Sequence, residues 1–148
     1  MVVLPWDETP VLRNREEKEL LTPLLNMMRS RGWINENSLV LSEMPLNGRR
    51  ADLATLTKSG IASAYEMKMG SFHRVLEQAM YNRLSFDRSW IVVNHRPTPK
   101  NLEQARENGI GVIVLDDKMS ILLWASRQPV SPVIRAKIRA IFRRGTRG

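Results

Sequence analysis

The feature that most constrains the fold of this chain is a change in the spacing of its apolar residues. Between Asn14 and Gly32, apolar side chains recur every three or four positions, which predicts a helix. From Leu39 onward the spacing becomes two, and turn residues at 47–48 and 58–60 divide the segment into strands. We place these strands at Leu39–Glu43, Ala51–Thr57 and Ile61–Lys68. The first half of the chain therefore predicts a helix followed by an antiparallel meander.

The second half alternates predicted helices with short apolar strands, a pattern typical of parallel strands that are covered on both faces. Helices are expected after Gly70, over Pro99–Asn108 and after Ser131, with strands over Trp90–Val93, Gly111–Leu115 and, at an edge, Ser120–Trp124. This order predicts an α/β fold with an αβββαβ core, in which helices flank a mixed central β-sheet. A length of 148 residues fits a single domain, which we divide into an N-terminal arm (1–13), a core (14–124) and a basic C-terminal helix and tail (125–148).

Composition excludes several kinds of chemistry. The chain has no Cys and two His residues, so disulfides, thiolate zinc sites, iron–sulfur clusters and a Cys nucleophile are absent. Any bound metal must then be held mainly by oxygen atoms. The first residues lack a basic segment with a long apolar run, and no later segment reaches the roughly 18 apolar residues of a membrane span. We therefore expect a cytoplasmic (intracellular) protein without a membrane partner.

The formal net charge of +8 is concentrated at the C-terminal end. Residues 1–117 hold equal numbers of basic and acidic residues, whereas residues 118–148 hold eight basic residues and no acid. Such a segment attracts polyanions, which makes nucleic acid the expected partner and leaves an anionic membrane surface or a merely solvated helix face as alternatives. The arginines of the predicted last helix would lie outside its apolar stripe and contact phosphates: Arg135, Arg139, Arg143, Arg144 and Arg147.

One group of charged residues lies within the alternating strands. Glu66 and Lys68 share a strand face, and antiparallel pairing brings Asp52 of the preceding strand beside Glu66. Two facing carboxylates repel unless a positive charge lies between them, and Mg²⁺ prefers such oxygen ligands. A site of this kind and an ordinary solvated hairpin with a cross-strand ion pair both fit the spacing.

Two further acids are candidates for the same site. Helical spacing places Glu17 at one end of the apolar stripe of the first helix, whereas Glu16 and Glu19 point elsewhere. Glu43, on the first strand, is a secondary candidate that would equally well pair with a neighbouring arginine.

Three segments together carry a likeness to a known family: Arg50-Ala51-Asp52, Tyr65-Glu66-Met67-Lys68 and Leu76-Glu77-Gln78-Ala79-Met80-Tyr81. With the αβββαβ order around them, the chain resembles the PD-(D/E)xK nuclease superfamily, the restriction-endonuclease-like fold, over about residues 14–115. The resemblance implies a site for Mg²⁺ or Mn²⁺ with the metal set Asp52, Glu66, Met67 and Glu17. It implies the catalytic set Asp52, Glu66, Lys68 and Gln78, in which the lysine assists the attacking water. Arg74 and Tyr81 follow the helical stripe of Gln78 and are expected to contact nucleic acid.

The function that the resemblance implies is a magnesium-dependent nuclease, which hydrolyses phosphodiester bonds of nucleic acid, with DNA expected, by metal-activated water attack. The alternative is a nuclease-fold protein of weak or absent catalysis that acts as a DNA-binding or assembly module. A third reading is a small basic RNA-binding protein in which the acidic site is coincidental. Cutting both strands of a duplex would need a second subunit, so a homodimer is considered beside the monomer.

Overall fold

The chain builds one β-sheet with helices on both faces. The structure, a computed structural model, describes residues 1–8, 15–68 and 71–146, and the side chains of residues 15–18 and 146 lie outside that description. The strands within these residues are β1 (Val2–Val3), β2 (Leu39–Leu46), β3 (Arg49–Leu56), β4 (Ala62–Met67), β5 (Arg88–Val93), β6 (Gly111–Leu115) and β7 (Met119–Leu123). The helices are α1 (Arg15–Ser30), α2 (Phe72–Asn82), α3 (Pro99–Glu107) and α4 (Pro132–Thr146).

The seven described strands lie in the sheet in chain order. Strands β1 to β4 are antiparallel neighbours, β4, β5 and β6 are parallel, and β7 returns antiparallel to β6 at the edge. The α/β class and the mixed sheet flanked by helices are therefore confirmed. Sequence analysis missed β1, because two exposed valines that pair with Ser42 and Leu41 give no periodic signal.

The two faces of the sheet carry different helices. The predicted stripe of α1 is buried, with Leu21, Leu24 and Met28 fully covered, and packs with Tyr65 and Trp90 on one face. Helices α2, α3 and α4 cover the other face, because α2 and α3 pack on β5 and β6 while α4 packs on β2. No helix among the described residues is long and apolar enough to cross a membrane.

The β2–β3 turn projects beyond the sheet near the end of α4. Asn47 and Gly48 have φ angles of 51° and 78°, which a tight hairpin turn requires and which Asn and Gly adopt most readily. The predicted Asn47-Gly48 turn is confirmed, and it places Arg49 and Arg50 at the start of β3.

Helix α4 does not present all of its arginines to solvent, so the prediction of an outward Arg135 is wrong. Arg135 donates to the buried carboxylate of Asp87 at 2.7 Å and to the carbonyl of Gly60 at 3.1 Å. The guanidinium of Arg139 lies against Gly60 so closely that a Cβ at that position would collide with it. Both side chains fasten α4 to the β3–β4 turn, because amphipathic spacing alone does not show which cations meet a buried acid.

Replacing Arg135 by Gln should destabilise the fold by about 3 kcal/mol, because Asp87 would remain buried without its cation. Chemical denaturation measures this loss as a lower free energy of unfolding. Arg127→Gln removes the same charge from an exposed position and should change stability by less than about 0.5 kcal/mol. Equal stability of the two variants would mean that the Asp87 pair does not fasten α4.

Candidate functional site

The candidate site begins where β3 and β4 separate. The ladder between these strands runs from Leu56 paired with Ala62 to Leu53 paired with Tyr65, and no pairing follows at Asp52. Instead, the Met67 N–H donates to Oδ2 of Asp52 at 2.9 Å. The aspartate side chain thus takes a backbone donor that a continued ladder would have used, and this contact orients its carboxylate.

Glu43 occupies the position in β2 that faces Asp52, between the Ser42–Leu53 and Met44–Ala51 pairs. Its φ angle of 53° lies in the left-handed region, which costs energy for a non-glycine residue and is found most often near functional sites. The negative charge of Glu43 adds to the rise in the pKa of Asp52. No ion pair joins Glu43 to an arginine in the part of the chain that the structure describes.

Glu66 is almost completely buried, with 1% of its surface exposed. Its Oε1 accepts a hydrogen bond from Nδ2 of Asn82 at 2.9 Å, whereas its Oε2 has no hydrogen-bond donor. Oε1 of Gln78, one helical turn before Asn82, is also buried without a donor. Two oxygen acceptors without donors therefore lie in the same small region, and such atoms are costly to bury unless something positive meets them.

The two carboxyls of the site hold protons more tightly than usual. Burial is the main cause of the raised pKa of Asp52, while a hydrogen bond with the Glu66 side chain, the Met67 hydrogen bond and the charge of Lys68 work against it. Burial and then the neighbouring Asp52 raise the pKa of Glu66 to about 9. Without a cation the pair therefore shares a proton near neutral pH, because two adjacent carboxylates cannot both ionise cheaply.

A cavity of about 370 Å³ opens beside Glu66, and we call it the acidic pocket. Its lining consists of Arg49, Arg50, Glu66, Gln78 and Asn82. The Arg49 guanidinium lies 4.1 Å above the centre of the Tyr81 ring, a cation–π contact that holds it at the rim. The pocket thus combines an acidic floor with a basic rim.

The donor set fits a hard divalent cation. Mg²⁺ is bound in proteins by one or two carboxylates, with waters and substrate phosphates completing the shell, and Asp52 with Glu66 supply the carboxylates. The unpaired oxygens of Glu66 and Gln78 are suitable acceptors for the cation or for its waters. Among the described residues, no group of three or more His, Cys, Asp or Glu side chains is arranged so that it could hold a metal ion, although Glu43 faces Asp52.

The structure brings most of the predicted site residues together. Asp52, Glu66 and Gln78 meet as described, and Lys68 follows β4 closely enough to influence Asp52. Met67 faces the other way with its side chain in the α1 core, so only its main chain adjoins the site. The side chain of Glu17 lies outside the described residues.

The predicted nucleic-acid-binding residues are dispersed. Arg74 is exposed one turn before Gln78, and Tyr81 contacts Arg49. Arg143 and Arg144 are exposed on α4, the second of them beside the β2–β3 turn. Arg147 lies outside the described residues.

Three residues of the pocket were not predicted from the sequence: Arg49, Arg50 and Asn82. Asn82 lies four positions after Gln78, so both project from the same side of α2, and that spacing was an available signal. Arg49 had no comparable signal, because only the fold brings the hairpin turn next to Tyr81 of α2.

Comparisons with known proteins give one family and several structural relatives. The model of a family described as bacteriophage P4 protein cII matches residues 11–138. No curated protein sequence matches the chain. The solved structure of SPO1766, a protein of unknown function from Silicibacter pomeroyi, has a TM-score of 0.70 at 18% identity and covers 92% of this chain and 89% of its own. This likeness shows that the two chains share a fold.

Two other solved structures are more distant. A repair endonuclease from Pyrococcus abyssi has a TM-score of 0.49 at 14% identity, over 73% of this chain and 50% of its own. SfsA of Pyrococcus furiosus in complex with Ca²⁺ has a TM-score of 0.40 at 16% identity, over 76% of this chain and 62% of its own.

Replacing Glu66 by Gln should stabilise the metal-free protein above neutral pH. Glu66 has a pKa of about 9 in the folded chain against 4.5 for an ordinary glutamate, so between these values the folded chain keeps a proton that the unfolded chain loses. The free energy of unfolding should therefore fall as pH rises through this window, by up to about 1.4 kcal/mol per pH unit. Glu66→Gln keeps an acceptor oxygen for Asn82 and should remove most of this slope.

Denaturant unfolding in EDTA from about pH 5 to about pH 8.5 measures the slope. The matched control is Glu107→Gln, which changes an exposed glutamate of α3 and should keep the wild-type dependence. A wild-type slope in Glu66→Gln would show that the buried carboxyl pair is not its source.

Proposed function

The chain belongs to the bacteriophage P4 protein cII family, and from the geometry of the site we propose that it is a magnesium-dependent nuclease acting on DNA. The observation that carries this proposal is a pair of adjacent carboxyls, the buried Glu66 and the half-buried Asp52, beside a buried Gln78 oxygen that has no donor. A fold gains no stability from such a pair in the absence of a cation. Glu66 lines a pocket that Arg49 and Arg50 also line, and this arginine rim favours an anionic substrate.

Asp52 and Glu66 would hold the divalent ion, with the main chain at Met67, the Gln78 oxygen and the Glu17 side chain as further candidates for its surroundings. When bound, Mg²⁺ or Mn²⁺ lowers the pKa of water and withdraws charge from a phosphoryl oxygen. The residues of the chain prepare this chemistry. The Met67 N–H donates to the Asp52 carboxylate and holds its orientation. The Asn82 amide donates to Oε1 of Glu66 and holds that carboxylate in the same way.

Lys68 has a distinct role in this proposal. Lys68 follows Glu66 by two residues. Its positive charge lowers the pKa of Asp52 and so favours the ionised form of the Asp52 carboxyl. The same charge would stabilise the negative charge that develops on the phosphate in the transition state. Arg49 and Arg50 would bind phosphates of the DNA backbone at the rim of the pocket, where they replace part of the hydration of those phosphates.

One observation favours the alternative function, a DNA-binding or assembly module with weak or absent catalysis. Among the described side chains, Glu43 faces Asp52 but joins no group of three acids that could hold a metal ion. If Glu17 does not join Asp52 and Glu66, metal affinity would rest on a small donor set, and the arginine rim would bind DNA without efficient cleavage.

Asp52→Asn and Glu66→Gln should each abolish cleavage of DNA, because each removes one of the two carboxylates that bind the ion. The assay incubates plasmid, linear duplex and single-stranded DNA with the purified chain in Mg²⁺, in Mn²⁺ and in EDTA, and gel electrophoresis follows the products. Calorimetric titration with Mn²⁺ gives metal affinity separately from activity. Glu107→Gln, on the exposed face of α3, is the matched control and should cut like the wild type. Cleavage that survives in EDTA or in Asp52→Asn would contradict the nuclease proposal.

Lys68→Met should retain Mn²⁺ affinity while slowing cleavage by on the order of 10² or more, because it removes a charge that acts on the transition state. The same cleavage assay and Mn²⁺ titration separate the two effects. A loss of metal affinity as large as that in Asp52→Asn would argue against this role. Mn²⁺ binding and DNA binding in a wild-type chain that never cuts would support the binding module instead.

A further inference from the structure

Two arginines of the hairpin belong to two cavities at once. Arg49 and Arg50 line the acidic pocket, and they also line a second cavity of about 360 Å³ between the β2–β3 turn and α4. Lys137 and Arg144 of α4 complete the charged lining of this second cavity. We call it the basic groove, defined by these four cationic residues, and the two shared arginines place it next to the acidic pocket.

The basic groove carries positive charge that the described residues do not neutralise. Its four cationic side chains are exposed, and no acidic residue lines the cavity. None of the four forms an ion pair in the part of the chain that the structure describes. Cations collected in one concave surface raise the local potential and attract anions.

Two of the four cations are held in place by neutral partners. Arg49 lies on the Tyr81 ring, and Nζ of Lys137 donates to Oδ1 of Asn47 at 2.6 Å. These contacts restrict the side chains and leave their charge uncompensated, which lowers the entropy lost when an anion binds. A merely solvated helix face would not need such positioning.

Two other arginines of α4 make the contrast clear. Arg135 is engaged with Asp87, and Arg139 packs over Gly60 at the β3–β4 turn. That turn lies at the end of β3 opposite the hairpin, so α4 sends one pair of cations to a structural anchor and another pair, Lys137 and Arg144, to the groove. The cations of the groove are therefore different side chains from those that anchor α4 to the rest of the fold.

We infer that the basic groove binds the backbone phosphates of the same DNA strand whose scissile phosphate enters the acidic pocket. The inference rests on the proposed function and adds to it the path of the DNA strand across the surface. The strand passes from Glu66 across Arg49 and Arg50 and continues along Lys137 and Arg144 of α4. Asp52 and Glu66 would repel phosphates in the acidic pocket. The positive charge of the adjacent basic groove would compensate for this repulsion.

The test measures binding of a fluorescein-labelled DNA duplex by anisotropy, in EDTA, as a function of KCl concentration. The double variant Lys137→Gln/Arg144→Gln should weaken binding and flatten the slope of log affinity against log salt by up to about 1.8, since each phosphate contact contributes about 0.9. The matched control Lys118→Gln/Arg127→Gln removes two exposed charges elsewhere and should leave the slope unchanged. Equal slopes in the two double variants would overturn the inference.

Cleavage by the same proteins in Mg²⁺ separates this inference from the proposed function. If the wild type cuts DNA and the Lys137→Gln/Arg144→Gln variant has the wild-type salt slope, the inference about the groove is overturned while the nuclease proposal stands. If the wild type never cuts and the groove variant has a reduced slope, the nuclease is rejected, and the groove remains a phosphate-binding surface without a scissile phosphate in the acidic pocket. Binding of anionic phosphatidylserine vesicles without DNA binding would overturn the inference in favour of a membrane surface.

Discussion

The carboxyl pair formed by Asp52 and Glu66 is the constraint on which the rest of the structure depends. Burying two acids side by side is unfavourable, and the raised pKa of both shows that the fold resists their ionisation. A fold accepts such a pair only if the surrounding packing is stable enough to hold it. Here that packing comes from α1 on one face of the sheet and from α2 and α4 on the other.

The backbone around the pair is arranged to keep it open. The β3–β4 ladder stops at Leu53, the Met67 N–H turns to the Asp52 side chain, and Glu43 adopts a left-handed conformation directly opposite. Each of these three features replaces a regular sheet interaction and leaves room around the carboxylates. Backbone strain of this kind is found most often at functional sites. Asn82 then fixes one oxygen of Glu66 and leaves the other free.

Much of this arrangement follows from the sequence because it depends on periodicity and on simple register. Alternating strands bring Asp52 level with Glu66, since these two residues directly follow the Leu53–Tyr65 pair, the last of the ladder. The partners of the α4 cations do not follow from the sequence. Helical spacing predicts that Arg135 lies outside the apolar stripe, yet it cannot show that Asp87, distant in the chain, is buried within its reach. The left-handed Glu43 was equally hidden, because no glycine or turn residue marks the position.

The distribution of charge now has a physical explanation that net charge alone does not provide. Four cations of α4 have two different placements, since Arg135 and Arg139 fasten the helix to the β3–β4 turn while Lys137 and Arg144 face the hairpin. The anchor determines where the helix lies, and the position of the helix determines where its free charges lie relative to the carboxyl pair. Under the proposed function, loss of the anchor would therefore disturb phosphate binding without removing a single cation from the groove. A basic helix tethered in this way would then act as part of the site and not as a detached polyanion-binding tail.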